Sequence, residues 1–156
     1  MSETTPWGEE MLEVVSEIME NTAFTEVRPA PQEPLYDQSA KGVSLLIHDP
    51  VQAEFQMFMD HALLKYLAEM VYGPVLGEVD EEVEGDFLAE LLNTIAGRFL
   101  ATVLPPEQSF RLGLPEKLSG PFTCPAPPCL SWSFVIEEMN FSLSLHGETL
   151  LSLAEE

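Results

Sequence analysis

The longest uninterrupted periodic segment, Asp80 to Val103, most narrows what this chain can become. Asp80, Glu81 and Glu82 place carboxylates where the positive end of a helix favours them, and Pro105-Pro106 cannot continue one. Advanced by about 100° per residue, Phe87, Leu88, Leu91, Leu92, Ile95 and Phe99 fill a broad apolar stripe. A helix with so wide an apolar face must lay it on another layer. Asp86, Glu90, Asn93 and Gly97 cluster on the opposite side, within an arc of about 60°, so this polar stripe is predicted to face outward.

The remaining elements supply the layer. Met11, Leu12, Val15, Ile18 and Met19 recur at helical spacing between Gly8 and Glu20, predicting an amphipathic N-terminal helix. Pro29, Pro31 and Pro34 then predict loop or extended chain. Val43 to Ile47 reads as a strand, and Ala53 to Met59 alternates like a strand although a helix also fits. Asp60 is placed to cap a helix over His61 to Tyr72, with Gly73 and Pro74 as its stop. Phe110 to Leu114 alternates, and Trp132 to Ile136 with Phe141 to His146 predicts an antiparallel hairpin. A Pro-rich connection holding Pro121, Pro125, Pro127 and Pro128 is predicted to be a surface loop. The expected fold is α/β, of the α+β type: a mainly antiparallel sheet, two long helices packed together, and the N-terminal helix alongside.

Composition narrows the function classes. The 156 residues are 46% apolar, which predicts one domain with its own core. Twenty-seven acidic against 6 basic residues give a formal charge of -21, a poor match for nucleic acid or an anionic membrane. The acidic start, Met1 to Glu10, is unlike a secretory leader, and no apolar run reaches spanning length, so cytoplasm is the expected location. Cys124 and Cys129 are too few for a disulfide scaffold and read as loop thiols. His48, His61 and His146 lack metal-site spacing, so no metal is expected. Phosphate-binding glycine loops and nucleophile triads are also missing from the sequence.

Glu90 and Asn93, three apart on a wet helix face, present both side chains together, and Gly97 leaves room one turn on. Such a pair also arises by chance. Asn and Gly are poor helix formers, however, each costing roughly 0.5 to 1 kcal/mol against better choices, which points to a reason beyond solvation.

The run Asp86-Phe87-Leu88-Ala89-Glu90-Leu91-Leu92-Asn93-Thr94-Ile95-Ala96-Gly97 resembles the signature helix of the CheC, CheX and FliY phosphatases of bacterial chemotaxis. That signature is Asp or Ser, three residues, Glu, two residues, Asn, and a later proline. Asp86, Glu90, Asn93 and Pro115 occupy these positions, with the gap to Pro115 one residue shorter than usual. The other two helical segments hold no second Glu-x-x-Asn, so residues 1–156 resemble a single CheX-like domain.

The resemblance implies a substrate: a CheY-like receiver phosphorylated on aspartate and carrying its own Mg2+, with no cofactor held by this chain. It further implies that Asn93 orients the attacking water, that Glu90 pairs with the receiver lysine beside the phosphoryl group, that Asp86 and Gly97 belong to the contact face, and that the chain forms a homodimer. An acyl phosphate is already reactive, so an acceleration of 10² to 10³ requires only about 3 to 4 kcal/mol. Asn does not titrate, and positioning is the role its chemistry permits. Two alternatives are non-catalytic: an acidic secretion chaperone, or a domain that binds a receiver without dephosphorylating it.

Overall fold

The computed structural model describes residues 7–32, 34–49, 52–118 and 129–147. Helix α1, Gly8–Ala23, buries Met11, Val14, Val15, Ile18 and Met19, as its apolar spacing demands. Strand β1 is only Arg28–Pro29. Strands β2 (Lys41–Asp49) and β3 (Ala53–Met59) pair antiparallel, which settles the ambiguous Ala53–Met59 segment as strand. Helices α2 (His61–Leu76) and α3 (Glu81–Val103) follow. The short β4 (Arg111–Leu112) and β5 (Glu116–Leu118) both pair with β2. The predicted hairpin is β6 (Cys129–Ile136) with β7 (Met139–His146).

Among the described residues the strands form one antiparallel sheet in the order β1-β6-β7-β3-β2-β4, with β5 also on β2. Alternation divides its faces. Val43, Leu45, Phe55, Met57, Leu143 and Phe134 point toward the helices and join one continuous core with them. Ser44, Gln56, Ser144 and Ser131 form a register row on the other face, where Tyr36 reaches the Ser142 hydroxyl at 2.8 Å. The expected α+β architecture with an antiparallel sheet is the one observed.

Four local expectations are corrected. Helix α2 does not stop at Tyr72 but runs through Gly73 and Pro74 to Leu76, and Gly77, at φ 81°, ends it by donating to the Gly73 carbonyl at 2.8 Å. Proline removes one donor in a final turn, whereas Val71 and Tyr72 hold that turn against the core, Tyr72 edge-on to Phe87 at 6.0 Å. Asp60 precedes α2 yet gives it no side-chain cap; its carboxylate accepts from the Asn140 N–H at 2.7 Å and ties α2 to the β6–β7 hairpin.

Phe110 to Leu114 is not one strand. The register on β2 shifts between Ile47 and Asp49, so pairing ends at Leu112, Gly113 donates to the Leu46 carbonyl at 2.8 Å, and Leu114 turns out 86% exposed. Pairing resumes only in β5. Cys129 opens β6 and is disulfide-bonded rather than a thiol, while Cys124 and the connection from Pro121 to Pro128 lie outside the described residues.

Phe99 has no exposed surface and meets the rings of Trp7, Phe55 and Trp132 at centroid distances of 5.5, 5.8 and 5.7 Å. Phe99→Ala should therefore lower the unfolding free energy by about 3 to 5 kcal/mol. Urea unfolding followed by circular dichroism checks this; a loss under about 1 kcal/mol would mean that Phe99 does not anchor the helix.

Candidate active site

The polar stripe stands on α3 because both its ends and its buried face hold that helix in place. Asp80 precedes its first turn and accepts from the Val83 N–H at 2.9 Å, and Glu81, Glu82 and Glu84 put further negative charge in that turn. Phe87, Leu88, Leu91, Leu92, Ile95 and Phe99 are all buried, as the wheel requires. Asp86, Glu90 and Asn93 are exposed, and Gly97 is half-buried. The four predicted site residues are thus brought onto one accessible face.

Among the described residues, the side chains of Asp86, Glu90 and Asn93 make no hydrogen bond or ion pair. Residues at i and i+3 have Cβ atoms about 5 to 6 Å apart, so the Glu90 carboxylate and the Asn93 amide can engage one object together. A Cβ built on Gly97 would meet nothing within 4 Å, which leaves the surface beyond Asn93 unobstructed. Chemically this is a bare acceptor, an amide that both donates and accepts, and a flat approach.

Other elements frame the stripe in ways the helix alone does not reveal. Beside Glu90 a hollow of about 140 Å³ opens between the helices, walled by Ile18 and Thr22 of α1 and Val71 and Tyr72 of α2. Arg98 donates to Glu17 of α1 at 3.1 Å, half-exposed on both sides, an ion pair worth about 0 to 1 kcal/mol. Thr94 donates its hydroxyl to the Glu90 carbonyl at 2.9 Å. Pro115 leads into β5, whose Lys117 lies against Gly85 of α3. The sequence reading missed Glu17, Arg98 and the α1–α2 hollow; a lone arginine between acidic helices was their only trace.

Among the described residues no group of three or more His, Cys, Asp or Glu side chains is placed to hold a metal ion. No helix among them is long and apolar enough to cross a membrane.

No protein-family model and no curated protein sequence matches the chain. Its structure, however, superposes on known ones. CheX from Vibrio vulnificus aligns with a TM-score of 0.69 at 14% identity, over 87% of this chain and 95% of that one. CheX in a complex with CheY, BeF3 and Mg2+ from Borrelia burgdorferi aligns at 0.63 and 15%, over 92% and 98%. FliY from Thermotoga maritima aligns at 0.61 and 14%, over 99% and 97%. At these identities the likeness is one of fold, and the chain has the fold of the CheC, CheX and FliY chemotaxis proteins.

Proposed function

We propose that this chain is a CheX-like phosphatase that hydrolyses the aspartyl phosphate of a CheY-like receiver in chemotaxis or related two-component signalling. The observation that carries the proposal is the Glu90–Asn93 pair, exposed on the outward face of α3 and without side-chain partners among the described residues. The CheX fold, and its occurrence in a complex with CheY, support the choice of partner.

In the reaction a water oxygen attacks phosphorus in line, the bond from phosphorus to the receiver's aspartyl oxygen breaks, and carboxylate and inorganic phosphate leave. The receiver contributes Mg2+, which offsets charge on the phosphoryl oxygens. Asn93 accepts from and orients the water, which converts a diffusing nucleophile into a placed one. Glu90 pairs with the receiver lysine and fixes the docked geometry. Asp86 borders the contact face, and Gly97 lets the receiver approach the helix backbone. The whole chain, 1–156, acts as one domain, as a homodimer in the cytoplasm.

Glu90→Ala should weaken receiver binding by removing the carboxylate that meets the lysine, and an unchanged dissociation constant and rate would remove that role. Asn93→Ala should leave receiver affinity nearly intact but cut accelerated phosphate release by about 10² or more. Asn93→Asp, which keeps the size and adds charge, should be inactive too. Undiminished release by Asn93→Ala would refute the catalytic assignment of Asn93.

Gly97 gives a test that separates folding from docking. Since an added Cβ meets nothing, Gly97→Ala should raise stability by about 0.5 to 1 kcal/mol, and Gly97→Trp should fold yet block docking. A Gly97→Trp protein with a native unfolding transition and full phosphatase activity would contradict the proposed face.

A further inference from the structure

Away from the outward stripe, on the opposite side of α3, a cavity of about 240 Å³ opens between the first turns of that helix and strands β2 and β5. Its charges are in unusual places. The row of β2 that faces the helices reads Lys41, Val43, Leu45, Ile47, and Lys41 is paired with the wholly buried Met59. On β5 the residue opposite Val43 is Lys117, so alternation turns it toward the helices as well. Two positions that pattern assigns to apolar side chains are therefore lysines, and both line the cavity.

The surrounding residues preserve this arrangement. Gly85 lies within α3, where glycine costs about 1 kcal/mol relative to alanine, and a Cβ there would come within 3.2 Å of Lys117 Cε. The glycine leaves the lysine its place. Glu84 is 5% exposed in the same wall, and its Oε1 is held by His61 Nε2 at 3.0 Å. That contact fixes the carboxylate in the wall. Neither lysine forms an ion pair among the described residues, although acidic side chains outnumber basic ones 27 to 6 in the chain. Both lysines are exposed and line the same cavity, so an anion entering from solvent can meet two ammonium groups at once.

We infer that the cavity between α3, β2 and β5 binds a small acid, a molecule carrying a phosphate or carboxylate held by Lys41 and Lys117. Val43, Leu64 and Leu88 give it an apolar wall for a short carbon skeleton. The volume falls below the roughly 300 to 1,000 Å³ of drug-sized sites, which restricts the ligand to a small metabolite. Glu81, also in the lining, disfavours a second anionic group at the helix end, so a ligand with a single acidic group fits best.

The test is a titration of the full chain with inorganic phosphate, and separately with acetate, at constant ionic strength, followed by amide chemical shifts. Saturable shifts at Gly42, Gly85 and Leu118 are expected with at least one probe. Saturation by phosphate alone marks a phosphorylated ligand; by acetate alone, a carboxylic acid; by both, recognition through charge. Lys41→Gln and Lys117→Gln should each weaken binding roughly tenfold or more while the spectrum stays that of a folded protein. Gly85→Ala should weaken it as well, by displacing Lys117. Shifts that never saturate with either probe, or equal affinity in the Lys41→Gln/Lys117→Gln double variant, would overturn the site.

Discussion

Phe99 is held between Trp7, ahead of α1, Phe55 on β3 and Trp132 on β6, three segments far apart in sequence. With all three rings packed on it, α3 cannot rotate about its own axis. A turn of one residue, about 100°, would expose Phe99 and swing the polar stripe toward its neighbours. Burying an aromatic ring of this size, with three edge or tilted ring contacts, is a large contribution to holding the helix in place. The exposure of Glu90 and Asn93 follows from that packing, because side chains fixed opposite a locked apolar face have only solvent to meet. A rigid helix also suits a positioning role, since an amide that orients water is effective only if its backbone does not wander.

On the proposed reading the chain contributes little chemistry and much placement. The electrophile, the metal and the lysine belong to the receiver, and this chain adds a carboxylate, an amide and a flat approach. Its electrostatics work against rapid encounter. Arg98, the basic residue nearest the stripe along α3, is already matched by Glu17, while Asp86 and Glu90 have no ion-pair partner among the described residues. Docking on an acidic receiver pocket should then depend on the specific lysine contact rather than on long-range attraction, and salt should assist association by screening the repulsion. The lysines that could have softened the field, Lys41 and Lys117, open instead onto the cavity behind the helix.

Features set by local periodicity were legible beforehand. Helix α3 and its two faces followed from spacing alone, as did the β6–β7 hairpin, even though its two-residue turn is Glu137-Glu138, both with positive φ, where Asn-Gly would be the usual signal. Features set by distant partners were not. Gly73-Pro74 is a strong stop signal, overridden because Tyr72 packs on Phe87. Asp60 has the right chemistry for a cap, but its carboxylate is taken by Asn140, eighty residues away. The break after Leu112 depends on a bulge in β2 that no local pattern announces. Within the candidate site, Glu90, Asn93, Asp86 and Gly97 were readable because they share one helix. The Arg98–Glu17 pair and the α1–α2 hollow were not, because they depend on how helices pack.

The central claim concerns a rate, so a rate tests it most directly. Receiver domains from the same organism would be phosphorylated, freed of phosphodonor, and followed for loss of phosphate with and without this chain at equal Mg2+. The account predicts that at least one receiver loses its phosphate about 10² or more times faster in the presence of the chain, catalytically and with release of inorganic phosphate. Decay at the intrinsic rate for every receiver, including any that binds the chain tightly, would contradict it.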